Sequence, residues 1–420
     1  TSMKNIVIIG AGVVGLSCAY NLLKSGEKVT LLERGHPGCG QSTRTGGGIR
    51  YLHGTQENIS MSFLSELFWK NFESEFNVDI NYQTTGHLFL TSNRQKSEEL
   101  CSIDPDGLLD LNALDRKQIK TKWPYLSQHI QDYGVYCPIG GYLNHQKVID
   151  GLVAGFHKLG GKLREGVEVN TISEMDNSKY RITSSEGIIE ANIIINCAGA
   201  NAGQFGRYSK AEQSFKSRHH ELLIVRPEKP FPEKCPWLID IDNQVHTRPD
   251  GAGRALVGGF LGNNEVTKLK GYDFPISENW RQRVLIAAER SFGLIDCNSE
   301  VLHHWGGLYP GTVDYQPVIE EEKPGLFIAA GFSGTGLMHA PAAGLIMRDL
   351  VKFGKKKGIN DAVTYLPLDQ QKIWANVIKD WPNTRAQDIT KEYGIDGAAL
   401  MNAYMDEIEK TGHKLSLIHI

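Results

Sequence analysis

Three glycines in the pattern Gly10-x-Gly12-x-x-Gly15 follow the apolar run Ile6–Ile9, and a second apolar run, Val29–Leu32, ends in Glu33. Those residue types at that spacing suit a dinucleotide. Gly10 permits a tight turn, Gly12 lets the backbone approach a pyrophosphate, and Gly15 lets a helix pack close to the strand. The N-terminus of that helix offers free N–H groups and a favourable dipole to the phosphates. Glu33, 18 residues beyond Gly15, can accept hydrogen bonds from ribose hydroxyls and would repel a 2′-phosphate.

Four further places could carry chemistry. The loop Ser42-Thr43-Arg44-Thr45-Gly46-Gly47-Gly48-Ile49-Arg50 offers small residues, backbone amides and then a cation. It reads as a wrap for a diphosphate and a flat ring, with Arg50 aimed at an anionic substrate. It reads equally as a surface loop with a solvated arginine. The strand-like Ile193–Asn196 breaks at Ala198-Gly199-Ala200, which suits either a backbone crossing near phosphate or an ordinary tight turn. Trp305 and Tyr309 could be core or site. Gly334-Thr335-Gly336 opens a helix, where backbone N–H groups can hydrogen-bond an electron-rich carbonyl and stabilise developing negative charge. A reducible ring needs such a partner, and a second phosphate site would be redundant.

The elements that must position these groups can be read along the chain. Ile59, Phe63, Leu67, Phe68, Phe72 and Phe76 recur at helical spacing over 59–77, and Tyr82–Thr91 reads as strand. Helices are expected around Leu111–Lys120 and over His145–Leu159, the latter stopped by Gly160-Gly161. Strand-like runs follow at Val167–Ile172, Tyr180–Thr183, Ile188–Asn196, Leu222–Val225, Trp237–Ile241, Ala255–Phe260 and Leu326–Ala330, before a helix from about Ala340 to Phe353. The 420 residues suit two or three domain-sized units. A net charge of −3 gives no basic surface for nucleic acid or anionic lipid. Seven scattered cysteines without a C-x-x-C pair read as reduced thiols of a cytoplasmic protein. No apolar run approaches the ~20 residues of a spanning helix, so no transmembrane segment is expected; nor is a metal site.

The order GxGxxG, Glu33, Gly47-Gly48-Ile49-Arg50, Cys197-Ala198-Gly199, then Phe332-Ser-Gly-Thr-Gly-Leu-Met-His339-Ala-Pro341-Ala-Ala-Gly344 resembles the D-amino-acid oxidase superfamily of FAD enzymes. Within it the chain is most similar to the sarcosine oxidase, sarcosine dehydrogenase and L-proline dehydrogenase β-subunit branch. The resemblance spans about residues 3 to 365. It implies an α/β fold, with a glutathione-reductase-like Rossmann FAD domain (1–58, 142–215 and 300–365) interleaved with a mixed-sheet substrate domain (59–141 and 216–299). Residues 366–420 are expected to form a C-terminal helical extension. It further implies that Gly10, Gly12, Val14 and Gly15 hold the pyrophosphate, Glu33 and Arg34 the adenosine ribose, and Val169 the adenine. Ala198 and Gly199 would line the diphosphate path. Ser42, Thr43, Gly47 and Gly48 would sit against the diphosphate or flavin edge, and Gly334, Thr335, Gly336 and Leu337 against the flavin's pyrimidine carbonyl. Arg50 matches an arginine that binds the substrate carboxylate in sarcosine-type enzymes.

Departures from the resemblance sharpen the expectation. Gly307 stands at the flavin-linking cysteine of monomeric sarcosine oxidases, so FAD is expected to be non-covalent. Tyr309 replaces the carboxylate-binding arginine of D-amino-acid and glycine oxidases. A looser alignment puts Leu256 at the oxygen-activating lysine and Phe260 at a substrate-side histidine, with Arg254 as a substitute cation. Without a fixed charge beside the flavin, superoxide formation should be slow, which favours a dehydrogenase. The expected activity is oxidation of a primary or secondary amino acid such as sarcosine or proline: hydride passes from Cα to flavin N5 and leaves an imine. Arg50, Tyr309 and His53 are the candidate catalytic residues, with His339 more suited to a structural place. O2 or a quinone-type carrier would accept the electrons, and the chain could form oligomers. Two alternatives remain at this point. One is a 2-hydroxy acid dehydrogenase drawing a base from His303-His304; the other is the FAD-binding subunit of a multi-chain dehydrogenase.

Overall fold

The computed structural model describes residues 4–104, 107–205, 215–260, 265–266, 274–312 and 315–354. The expected extension over 366–420 lies outside the described residues. Two large sheets organise the rest.

The first sheet has six strands in the order 318–323, 326–330, 193–196, 6–9, 29–33, 162–165. All neighbours are parallel except the first pair. Parallel central strands are buried on both faces, hence the unbroken Ile6-Val-Ile-Ile9 and Ile193-Ile-Ile195. Alternation then divides their side chains. Ile6, Ile8, Leu31, Ile193 and Ile195 pack in one core with the helices Val13–Lys24, His145–Lys158 and Gly336–Phe353. Val7, Ile9, Leu32 and Ile194 face the other way, onto Ile172, Tyr180 and Ile182 of a three-stranded antiparallel sheet.

The second sheet has nine strands, in the order 265–266, 215–226, 255–259, 245–249, 237–240, 87–91, 133–137, 112–115, with 300–312 paired along 215–226. Its outer face (Leu88, Leu223, Val225, Leu238, Val257) is covered by Val284, Leu285, Ala288 and Phe292 of the helix Glu278–Phe292. The register puts Trp237, Leu222, Leu256 and Trp305 on the inner face. That face lies over the glycine loop: the Trp237 ring sits closer than an ordinary carbon–carbon contact to where a Cβ on Gly46 or Gly48 would be (3.0 and 3.1 Å).

Several elements differ from expectation. The run Ile188–Asn196 is two strands in two sheets, broken at Asn192, where Asn192 and Ile193 both donate their backbone N–H to the Asn5 carbonyl. Over Leu111–Lys120 a short strand (Asn112–Asp115) precedes the helix Arg116–Lys122, which starts at an Asp115/Gln118 capping box. Only His87–Thr91 of Tyr82–Thr91 is strand, and Val245–Pro249 is a strand with no counterpart in the sequence reading. Helix Gln56–Phe76 crosses the expected 58/59 division and packs into the first core, and strand Glu300–Thr312, which begins at the expected 299/300 division, pairs in the second sheet.

Candidate active site

The turn after Ile9 is tight because only glycine fits it. Gly10 has φ +102°, and a Cβ there would stand 2.3 Å from the Cys197 carbonyl oxygen. A Cβ on Gly15 would stand 1.9 Å from the Gly10 carbonyl oxygen, so the helix begins directly against the turn. Its N-cap, Gly12, has no side-chain cap, and no acidic residue occupies the first turn. Glu33 is buried; one carboxylate oxygen accepts the Ala11 N–H (3.1 Å) and the other the Gly35 N–H (2.6 Å). The oxygen that takes the Gly35 N–H also accepts from the Cys39 thiol (3.6 Å).

A cavity of about 370 Å³ opens from this turn. Among the residues expected at a cofactor, Gly10, Gly12, Val14, Glu33, Arg34, Ser42, Val169, Ala198, Gly199, Gly334, Gly336 and Leu337 line it, as does Tyr309. Five others do not. Gly15 supports the turn. Thr43 donates its hydroxyl to the Gly38 carbonyl (2.7 Å) and Thr335 to the Phe332 carbonyl (2.6 Å). Gly47, at φ +74°, accepts the Leu143 N–H (2.9 Å), and Gly48 pairs with Tyr142. Ser42 lines the cavity and also accepts the Val13 N–H (2.9 Å), bracing the helix start. Sequence reasoning missed Gln41, Thr45, Asn201, Gln204, His220 and Leu308 in the lining. The Ser-Thr-rich loop was a signal for Thr45. Nothing local pointed to His220, whose ring stacks on Tyr309 at 4.0 Å.

Arg50 follows the short strand Gly48–Ile49. Its Nε is buried without a hydrogen-bond partner, and among the described residues no ion pair reaches its side chain. Burial lowers its pKa and the nearby Tyr309 raises it; guanidinium stays charged nonetheless. Burial pushes the Tyr309 phenol up to about 12, against the pull of Arg50, so it remains a neutral hydroxyl. Four histidines surround this cation and burial keeps all of them neutral, Arg50 adding to the effect. His87 and His339 are pushed down to about 3, and His246 to about 4 with Arg248 contributing; His53 lies well below its usual value.

His53 sits beneath Arg50 rather than in the cavity. Its Nε2 is 2.8 Å from the Ser62 hydroxyl, which itself donates to the Arg50 carbonyl (2.8 Å). With the Ser62 proton so directed, His53 Nε2–H donates to Ser62 and braces the arginine's backbone. His339 is fully buried, its ring 5.0 Å from that of His53, with both nitrogens unpartnered.

The remaining candidates separate. Leu256 is buried on the inner face. Phe260, at φ +48°, packs with the outer core, so it is not on the substrate side. Arg254 turns back to Asp250 (3.5 Å) and is 40% exposed. A Cβ on Gly307 would stand 2.7 Å from the His220 ring, leaving no room for a cysteine. His303 is exposed, and His304 pairs with Glu221 at 2.9 Å. None of the seven cysteines is in a disulfide, and among the described residues there is no metal-ligand cluster and no helix long and apolar enough to cross a membrane.

Known proteins are similar to this chain in sequence and fold. The chain is 22% identical over 370 residues to human mitochondrial dimethylglycine dehydrogenase, covering 83% of this chain but 42% of that protein. It is 23% identical over 369 residues to glycine oxidase of Geobacillus kaustophilus, covering 84% and 94%. Among solved structures, L-proline dehydrogenase from P. horikoshii superposes with a TM-score of 0.75 at 25% identity, covering 86% of this chain and 96% of that one. The chain thus spans about two fifths of the length of the dimethylglycine dehydrogenases it matches. Residues 5–350 match the FAD dependent oxidoreductase (DAO) family model, and the chain belongs to that family.

Proposed function

We propose that the protein dehydrogenates an amino acid or related amine carrying a single carboxylate, with FAD in the 370 Å³ cavity and the carboxylate on Arg50. The observation that carries the substrate reading is the half-buried Arg50 guanidinium, whose Nε is buried without a hydrogen-bond partner and which no ion pair reaches among the described residues. An unpaired buried charge is costly, and a bound carboxylate removes that cost through a bidentate pair. The histidines around it are neutral and so do not compete for the anion.

The residues fit FAD. Gly10, Gly12 and Val14 would present the helix start to the pyrophosphate, and Glu33 with Arg34 would take the ribose. Val169 would meet adenine, Ala198 and Gly199 the diphosphate path, and Gly334, Gly336 and Leu337 the ring's carbonyl edge. The bound flavin supplies the hydride acceptor for the substrate Cα–H, leaving an imine. Everything else is done by the chain. Arg50 fixes the carboxylate, His53 and Ser62 hold Arg50, and Tyr309 flanks the site beside Gly334, a Cβ on which would lie 3.2 Å from the phenol ring. No side chain here is poised as a strong base, so the amine enters unprotonated. Gly307 supports non-covalent FAD, and Leu256 supports a dehydrogenase that passes electrons to a carrier and reacts sluggishly with O2. The amino-acid-oxidising relatives support sarcosine, proline or a related substrate. The free thiols suit the cytoplasm.

The test is anaerobic. The yellow protein is mixed with sarcosine, L-proline, glycine, other L- and D-amino acids and 2-hydroxyglutarate while the flavin band near ~450 nm is followed. Bleaching by an amino acid with slow recovery in air supports the proposal. Bleaching by 2-hydroxyglutarate alone overturns it.

A further inference from the structure

Arg248 is a buried cation, and the function proposed above leaves it without a role. It lies on the strand Val245–Pro249, directly across from Leu256, on the inner face of the second sheet. Its Nε and Nη2 both donate to one acceptor, the Gly46 carbonyl (3.0 and 2.7 Å). Nη1 donates to the Pro249 carbonyl (2.8 Å) and to Asp250 Oδ1 (3.1 Å). The guanidinium also lies over the rings of Tyr142 (4.1 Å) and Trp237 (5.3 Å). An arginine so fully engaged has one orientation.

The Gly46 carbonyl and the Gly47 N–H belong to one planar trans peptide and point in opposite directions. Pinning the carbonyl on Arg248 therefore aims the N–H away from Arg248, and that N–H donates to Thr45 Oγ1 (3.2 Å). Gly47 keeps φ +74° and its own carbonyl accepts the Leu143 N–H (2.9 Å), so the peptide is held on both sides. Thr45 makes no other hydrogen bond in the described structure and lines the cavity together with Tyr309 and Leu308. With its oxygen accepting from Gly47, its own hydrogen is free to donate into the cavity. Hydrogen bonds in series polarise one another inside a protein.

We propose that Arg248, the Gly46–Gly47 peptide and the Thr45 hydroxyl form a polarised relay that makes Thr45 a charge-strengthened donor to an acceptor atom of the cofactor's reducible ring. Thr45 is the contact and Arg248 a positioning residue acting through the peptide. The donor gains most when the ring is electron-rich, so the relay favours the reduced cofactor. This rests on the reading that the cavity holds FAD.

The test uses the FAD-loaded protein, with the flavin midpoint potential as readout. Thr45→Val and Arg248→Met should both lower the potential. A tenfold loss of preference for the reduced form corresponds to about 30 mV for this two-electron couple. The double variant should fall no further than the lower single variant, Thr45→Ser should match the parent, and Arg248→Lys should recover part of the shift. Should Arg248→Met fail to fold, Thr45→Val against Thr45→Ser decides alone. If Thr45→Val keeps the parent potential and spectrum, the relay is wrong and Arg248 is only a strut between sheet and loop. Gly10→Ala separates the two levels: if that variant still binds FAD normally, the cavity reading falls and the relay with it.

Discussion

Arg50→Met should move two observables in opposite directions. The substitution removes a half-buried cation whose Nε has no hydrogen-bond partner and keeps an unbranched side chain of similar reach. Exchanging a fully buried ion pair for apolar groups of similar volume gains up to about 4 kcal/mol, and a single half-buried cation falls at the low end, about 1 kcal/mol. At about 2 °C per kcal/mol for a larger chain, the substrate-free variant should melt about 2 °C higher than the parent. The carboxylate-bound state behaves oppositely. Truncating one partner of a buried, hydrogen-bonded charge pair costs about 2–5 kcal/mol. At 1.4 kcal/mol per tenfold, the dissociation constant for a carboxylate should rise by about 30- to 4,000-fold. Titrating the FAD-loaded protein with acetate, read from the flavin spectrum, gives the affinity, and thermal unfolding with and without acetate gives the stability. Acetate should raise the Tm of the parent and leave that of the variant unmoved. Equal acetate affinity in the two proteins would refute the assignment. A variant that melts lower with unchanged affinity would show that Arg50 is structural.

Other outcomes follow from the same geometry. Gly47→Ala should lose at least ~1–2 kcal/mol from its left-handed backbone alone, with more from the Leu143 contact, and melt several degrees lower with reduced FAD content. The lowered histidine pKa values make stability pH-dependent. Above the unfolded value near 6.5 these groups are neutral in both states and their contribution is complete. As pH falls toward the folded values of about 3 to 4, the unfolded chain binds protons that the folded one refuses, and stability drops by up to about 1.4 kcal/mol per pH unit for each histidine. His87→Phe, which keeps a ring stacked on Trp237, should flatten the fall of Tm between pH 6.5 and 4 by one proton's share; an unaltered slope would show that His87 is not excluded from protonation. Leu256→Lys should speed reoxidation of the substrate-reduced enzyme by O2 roughly tenfold or more, measured by stopped-flow, and no acceleration would remove position 256 from the explanation of oxygen reactivity.

What the sequence made legible was what the backbone does locally. The glycine turn, Glu33 at the end of the next strand and the glycine-rich helix start depend on neighbours within a few residues, and each lies where its spacing puts it. Side-chain facing across a sheet was less accessible. Alternation along Ala255–Phe260 would put residues 256, 258 and 260 on one face. The strand instead ends at Gly259 (φ +156°), and the left-handed turn at Phe260 swings its ring to the opposite core. His246, Arg248 and Trp237 reach Arg50's surroundings through strand register across the second sheet, which no local pattern encodes. Ile188–Asn196 misled for a related reason: a continuous apolar run does not reveal that it serves two sheets.

The central strands of the first sheet come from residues 6–9, 193–196 and 326–330, and helix Gly336–Phe353 packs on helix Val13–Lys24. The first turn is therefore synthesised long before its neighbours. At 5–20 residues per second, about 320 further residues take roughly 15–60 s to emerge. Until residue 196 emerges, Ile6–Ile9 has Val29–Glu33 beside it but an open edge where Ile193–Asn196 will pair; from then until the end of the interval the open edge is that of Ile193–Asn196, where Leu326–Ala330 will pair. Unpaired apolar strand edges are where nascent chains misassociate. Biogenesis should accordingly be limited by completion of this sheet. Truncations ending before about residue 330 should be aggregation-prone, and supplying the cofactor should raise the soluble yield only once the last strand and helix are present.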